Sequence, residues 1–274
     1  MFEIGVVFWA GRDRLADMMA LGVKCGQVVV PGEFELSPAS ADRFKAELDA
    51  AGFNLGAVFA AFDGEDYADI PTVERTVGFV PPATREARAH RFLAVSDFAA
   101  RLGAPEIACH IGCVPHDASH PDYVGVRDLV RRICDHAAKY GQTFGLETGQ
   151  EPADVLLAFF RDVDRKNLRI NFDPANMIMY GSGEPIEALR QLGPHVVSVH
   201  AKDGVWPPKG VAGALGSERP LGQGDVGMDR FVRTLEEIGF RGPLNIEREC
   251  EDREARMSDL LMAVGLLRGL AAAS

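Results

Sequence analysis

The sequence predicts an α/β protein folded as one eight-stranded parallel (β/α)8 barrel spanning residues 1–274. Three observations carry that prediction. Short runs rich in Val, Ile, Phe and Leu alternate with helical patterns along the chain, which is the grammar of a parallel sheet with crossovers. Eight such units at a period of roughly 30 residues suit a closed barrel of ~250 residues better than an open doubly wound sheet. No linker, low-complexity tract or break in composition divides the chain.

The elements follow in order. EIGVVFWA (3–10) is the first strand, followed by a helix over 13–21, and CGQVVVPGE (25–33) is the second strand. Ser37 is placed as an N-cap, with Pro38 at the first helical position of a helix through Ala51. LGAVFAAF (55–62) is the third strand. The segment 63–82 reads as irregular and too long for an ordinary connection, so it is a candidate lid or binding loop. A helix over 84–102 precedes the fourth strand, APEIACHIG (104–112), and a polar loop. The helix over 123–141 stops at Gly141. Strands in TFGLET, RINFDPAN, VVSVHAKD and PLNIERE then alternate with helices in DVLLAFFRDVDR, IEALRQL and FVRTLEEIG, and a closing helix covers 253–272. Residues 203–225 read as a Gly/Pro-rich loop. The first strand ends in WAGRD, not G-x-G-x-x-G, and the G-x-G-D at Gly222–Asp225 follows a loop, so neither is a nucleotide fingerprint.

A net charge of −11 argues against a nucleic-acid backbone or an anionic membrane as partner. The five cysteines form no close CxxC pair, which predicts free thiols in a reducing cytosol. There is no basic leader and no run of ~18 apolar residues, so the expectation is a cytoplasmic protein without a membrane span.

The chemistry concentrates between Thr143 and Glu249. Four successive strands end in Glu147, Asp173, His200 and Glu247. Strand alternation puts Gly145 with Glu147, Asn171 with Asp173, Ser198 with His200 and Lys202, and Asn245 with Glu247 and Glu249. The bulky apolar neighbours fall on the opposite, helix-facing side, so the four end residues converge inside the barrel mouth. Three carboxylates at close range repel unless a cation sits among them. Three oxygens and one nitrogen suit Mn²⁺, Mg²⁺, Co²⁺ or Fe²⁺, with Zn²⁺ also compatible. An octahedral ion so held keeps two positions for a bidentate ligand such as an α-hydroxycarbonyl.

The stretch GLET…NFDPAN…HAKD…NIERE resembles the xylose isomerase-like TIM-barrel superfamily of sugar phosphate isomerases and epimerases. The resemblance covers essentially the whole chain. It implies that Glu147, Asp173, His200 and Glu247 bind one divalent metal and that Glu147 and Glu247 also act as an acid/base pair, as in the ketose 3-epimerase branch. The chain departs from that branch at Asn176, where a histidine is usual, and after His200, where Lys202 and Asp203 stand near the position of a substrate-binding arginine.

Further candidates border these. His110, inward with Ala108 and Gly112, reads either as a substrate contact or support for a metal ligand or as a core imidazole; Lys202 reads either as a cation for a developing oxyanion or as an ion-pair partner of Glu249 or Asp203. Glu249 reads either as a support for Glu247 or as a rim charge, Glu33 is an inward candidate, and Trp9 and Trp206 could cover a sugar's apolar face. His116 and His120 fall in a polar loop and read as solvated. The resulting expectation is a metal-dependent sugar isomerase or epimerase that abstracts a proton beside a carbonyl through an enediolate. A lyase or hydrolase on an inosose or 3-keto-glycoside would begin with the same step. An endonuclease IV-like nuclease lacks a second ligand set here, and a sugar sensor would bind without turnover. The partner is a small sugar, and the closing helix and the 203–225 loop are candidate surfaces for a dimer or tetramer.

Overall fold

A computed structural model describes residues 2–273. In chain order the elements are β1 (Ile4–Trp9), α1 (Leu15–Ala20), β2 (Cys25–Val30), α2 (Pro38–Ala51), β3 (Asn54–Ala60), α3 (Ile70–Thr76), α4 (Pro82–Leu102), β4 (Glu106–Cys109), α5 (Pro121–Ala137) and β5 (Thr143–Glu147). They continue with α6 (Ala153–Val163), β6 (Leu168–Phe172), α7 (Pro174–Tyr180), α8 (Pro185–Leu192), β7 (Val196–Ala201), β8 (Asp203–Val205), β9 (Ser217–Arg219), α9 (Met228–Glu237), β10 (Leu244–Ile246) and α10 (Arg253–Ala273). Eight strands close into a parallel barrel in the order β1-β10-β7-β6-β5-β4-β3-β2. The predicted (β/α)8 architecture is therefore present, with helices around the barrel.

Local signals set the element ends. Ser37 accepts a hydrogen bond from Ser40 N, Pro38 opens α2, and Gly52 closes it at φ 62°. Asp173 caps α7 in the same way, accepting from Asn176 N at 2.9 Å, with Pro174 next in line. That cap turns the chain sharply at the end of β6 and fixes Asp173 at the barrel mouth.

The alternation of inward polar and outward apolar residues holds. Phe172 stacks on Phe231 of α9 with ring centroids 6.2 Å apart, and Phe144 meets Phe92 of α4 at 4.9 Å. Burying each ring contributes ~1.5–3 kcal/mol, so a one-residue slip of β5 or β6 would forfeit that packing and turn the polar set outward.

Three expectations need correction. Segment 63–82 is not wholly irregular: Asp69 caps α3, its carboxylate accepting from Thr72 N at 2.8 Å. The 203–225 loop contains an antiparallel hairpin, β8 with β9. Among the described residues the helices do not number eight, because α3 and the short α7 are added to the crossovers. Periodicity missed both added helices because each is only 7 residues long, about two turns.

Candidate active site

Glu147 ends β5, Asp173 follows β6, His200 lies in β7 and Glu247 follows β10. One ligand atom from each lies within 4.8 Å of all the others. His200 Nδ1 is 2.7 Å from Glu147 Oε1, 3.0 Å from Glu247 Oε2 and 3.7 Å from Asp173 Oδ2. Glu147 Oε1, Asp173 Oδ2 and His200 Nδ1 are nevertheless buried without a hydrogen-bond partner. Buried polar atoms are normally satisfied, so three orphaned atoms aimed at one point fit a cation. The donor set, three carboxylates and one imidazole, is that of a divalent ion. On its far side His200 Nε2 lies 2.8 Å from Gln27 Oε1. The tautomer that donates Nε2–H to this oxygen leaves a lone pair on Nδ1, facing the carboxylates.

The charges interlock. Burial pushes the Glu147 carboxyl up, but His110 and His200 outweigh it and hold it down at about 2. Burial likewise opposes ionisation of Glu247, and Lys202 with His200 holds it well below the usual carboxylate value. Asp173 goes the other way: its burial raises it, with the two neighbouring glutamates adding to the rise. Burial opposes the charge on His200 and Lys202, yet the surrounding carboxylates raise both. The raised Asp173 marks negative charge that the neighbouring cations do not fully offset, and a divalent ion among the carboxylates would offset it.

A cavity of about 460 Å³ opens above the cluster. Of the sequence-predicted residues, Trp9, His110, Glu147, Asn176, Lys202, Glu247 and Glu249 line it, while Asp173 and His200 lie buried beneath. His110 Nε2 is 2.6 Å from Glu147 Oε2. Lys202 Nζ is 3.0 Å from Glu247 Oε2 and 3.9 Å from both Asp173 and Glu249.

Other expectations fail. Asp203 is no ion-pair partner of Lys202: its carboxylate accepts backbone N–H groups of Gly204, Gly222, Gly224 and Val226. Glu33 is exposed and does not border the cavity, because β2 ends at Val30, before Pro31, and strand parity does not extend past it. Trp206 is 41% exposed and lies off the cavity. His116 and His120, by contrast, are exposed as expected, and His120 caps α5 by accepting from Asp122 N.

Several residues escaped the sequence reading. Glu65, Tyr67 and Glu218 line the cavity from the segments read as irregular, where no periodicity marks a direction. Gln27 and Glu106 are buried in the barrel interior. Both carried a signal: Gln27 is the one large polar residue in CGQVVV, and Glu106 shares strand parity with Ala108 and His110.

A family model described as xylose isomerase-like TIM barrel matches residues 15–265. The crystal structure of a xylose isomerase domain protein from Planctomyces limnophilus is 47% identical, with a TM-score of 0.95 and 98% of each chain covered. A D-tagatose 3-epimerase-like protein is 19% identical, with a TM-score of 0.73 over 98% of this chain and 97% of that one. A xylose isomerase-like TIM barrel protein from Mycobacterium smegmatis, in complex with magnesium, is 17% identical with a TM-score of 0.63 over 96% of this chain and 100% of that one. At those identities the last two share the fold alone. Among curated sequences, an uncharacterized protein of Methanocaldococcus jannaschii is 30% identical over 126 residues, and the match covers 43% of this chain and 40% of that protein. Among the described residues no helix is long and apolar enough to cross a membrane.

Proposed function

The chain belongs to the xylose isomerase-like TIM barrel family, and we propose that it is a divalent-metal-dependent sugar isomerase or epimerase. Its substrate would be a ketose or keto-sugar, and the step a proton transfer at the carbon beside the carbonyl. One observation carries the reading. The orphaned donor set of Glu147, Asp173 and His200, with Glu247, sits at the floor of a cavity whose wall includes two of the same carboxylates. The similarity to an epimerase-like protein and to a magnesium-bound barrel supports it at the level of fold.

Glu147, Asp173, His200 and Glu247 would hold the ion, with Mn²⁺, Mg²⁺ or Co²⁺ the best match to the donors. When bound, such an ion polarises the substrate carbonyl and stabilises the negative charge that develops when the neighbouring C–H is broken. The chain's residues do the rest. Glu247 is held ionised by Lys202 and keeps 11% side-chain exposure against 2% for Glu147, so it is the carboxylate with freer access to substrate. Glu147, braced by His110, would be the second proton carrier. Each such acid–base step is worth roughly 10²–10⁴ in rate. Trp9, Asn176, Lys202 and Glu249 border the space for the rest of the sugar, and the Lys202 ammonium can stabilise an oxyanion.

Deuterium wash-in tests this. Protein stripped with chelator and reloaded with Mn²⁺ is incubated with ketoses, inososes and 3-keto-glycosides in D₂O and followed by NMR. Deuterium entering beside the carbonyl as an epimer or aldose forms is the expected result. Exchange with loss of a substituent would reassign the site to a lyase. No exchange with any of these substrates would sink the proton-transfer mechanism.

A further inference from the structure

Two arms meet across the barrel mouth. One is the segment 63–80 between β3 and α4, which carries α3. The other is the segment 203–226 after β7, which carries the β8–β9 hairpin. In the closed order β1-β10-β7-β6-β5-β4-β3-β2, β3 and β7 stand four strands apart in either direction, so they are diametrically opposed. Arms that leave the C-terminal ends of opposite strands and touch must cross the mouth between them. They do touch: Ile70 N donates to Gly213 O at 2.9 Å. Gly213 has φ +73°, and a Cβ there would stand 3.0 Å from Pro71 Cδ, so glycine lets the two arms approach closely. Tyr67 and Ala68 line the cavity on one side of this junction, and Leu215 and Gly216 on the other.

Each arm is rooted more firmly than the two are joined. Glu65 accepts from Phe62 N at 3.1 Å and Gly78 N at 2.8 Å, and the buried Arg88 of α4 donates to the carbonyls of Asp63, Thr76 and Gly78. On the other side Asp203 accepts from Gly222, Gly224 and Val226 N–H. Gly216 N donates to Met179 O of α7 at 2.7 Å. Glu218 accepts from Arg248 at 2.8 Å and from Glu249 N at 3.1 Å. Across the junction, among the described residues, Ile70 N to Gly213 O is the one hydrogen bond, and no ion pair crosses it. A single backbone hydrogen bond is worth only about 2–12-fold in an equilibrium. The strap is therefore weakest at its middle, beside the residues that line the cavity.

We propose that this junction is the gate of the site. It parts between Ile70 and Gly213 to pass the sugar, and its closure completes the wall around it. Tyr67, Ala68, Leu215 and Gly216 then select the shape of the sugar at that end, because they form one wall only while the junction holds. That a sugar is what passes rests on the function proposed above; the opening of the junction does not.

Hydrogen exchange of the parent, with neither metal nor sugar, reads the opening directly. The Ile70 amide should exchange at least about tenfold faster than the Gly78 and Gly216 amides, which hold the roots of the arms. Equal protection of all three would overturn the gate. Ile70→Pro then removes the bridging N–H and spares α3. Position 70 opens that helix, where proline is favoured, and Asp69 before it has the extended backbone (φ −157°, ψ 165°) that proline requires. The variant touches none of the four metal ligands, so it should bind Mn²⁺ within about twofold of the parent. For any ketose, inosose or 3-keto-glycoside that exchanges deuterium, its KM should rise by about 2–12-fold, the worth of the lost bond. Ile70→Val, which keeps the N–H, should leave KM unchanged. An Ile70→Pro variant that folds and holds the sugar as the parent does would overturn the gating role. A panel in which no sugar exchanges would remove the isomerase reading and the passage of sugar with it, while amide exchange still decides whether the strap opens.

Discussion

One carboxylate joins two imidazoles: Glu147 places Oε2 2.6 Å from His110 Nε2 and Oε1 2.7 Å from His200 Nδ1. The two histidines come from different strand ends, and the shared carboxylate fixes their separation. His110 is braced in turn by Gln150 at 3.3 Å and by the rings of Phe59 and Tyr67, each with centroids 5.9 Å away. Glu147 therefore faces the centre of the site with one oxygen because the other is occupied.

His110→Phe should expose this dependence. It preserves most of the ring volume but leaves Glu147 Oε2 buried without its partner, at a cost of ~1–3 kcal/mol. Mn²⁺ affinity or deuterium exchange should fall by about 10–100-fold while the fold persists. Unchanged affinity and exchange would show that Glu147 needs no brace.

Removing the metal should cost stability. A ligand present at 100 times its Kd adds ~2.7 kcal/mol, so Mn²⁺ should raise the melting temperature of the chelator-treated parent. Asp173→Asn tests the assignment without disturbing α7, because the amide oxygen can still accept from Asn176 N, as Oδ1 does at 2.9 Å. The variant should keep most of the apo-protein's stability and lose more than half of the Mn²⁺-dependent rise. A full Mn²⁺ response in Asp173→Asn would exclude Asp173 from the ligand set.

Much of this arrangement was legible in the residues. The barrel could be read because inward and outward positions alternate, and because Phe144 and Phe172 must find Phe92 and Phe231 outside. The same parity brought Glu147, Asp173, His200 and Glu247 together. It failed where a strand stops. Glu33 lies beyond Pro31, and Asp203 opens a hairpin whose partners at residues 222, 224 and 226 are backbone amides that no side-chain pattern reveals. Glu65 and Tyr67 reach the cavity from a segment held by its own caps and turns. Their direction is set by tertiary packing, which one-dimensional periodicity does not encode.

Glu151 should leave a mark on the pH dependence of stability. It is buried and accepts from Val114 N at 2.7 Å, tying the loop after β4 to the loop after β5. Burial pushes its carboxyl up to about 7 from 4.5. Between those values the folded state holds a proton that the unfolded state has released, so stability falls as pH rises through that window. At 1.36 kcal/mol per unit the full effect is ~3 kcal/mol. Glu151→Gln keeps an acceptor for Val114 and cannot ionise. Chemical denaturation of the apo-protein from pH 4.5 to 7 should therefore show a shallower loss in the variant, and parallel curves for the two proteins would refute the raised value.

Asp203 offers the most direct test of what holds the hairpin over the site. Oδ1 accepts from Gly204 N at 2.9 Å and Val226 N at 3.2 Å, and Oδ2 accepts from Gly222 N at 2.9 Å and Gly224 N at 3.0 Å. One carboxylate thus pins both ends of the β8–β9 arm, and Gly224 permits the approach because a Cβ there would stand 2.2 Å from Asp203 Oδ1. Hydrogen bonds to an ionised acceptor are worth ~1.5–3 kcal/mol each, and water can replace some of them once the arm loosens. Asp203→Ala should therefore cost ~2–4 kcal/mol and make residues 203–226 the first site of limited proteolysis, with the barrel strands still protected in hydrogen exchange. Asp203→Asn keeps one acceptor oxygen and should fall between parent and alanine. Because Glu218 reaches the cavity wall from β9 and accepts from Arg248 at 2.8 Å, loosening the arm should also weaken retention of sugar ligands more than it weakens Mn²⁺ binding. Equal losses of both would mean that Asp203 supports the barrel mouth as a whole, not the arm.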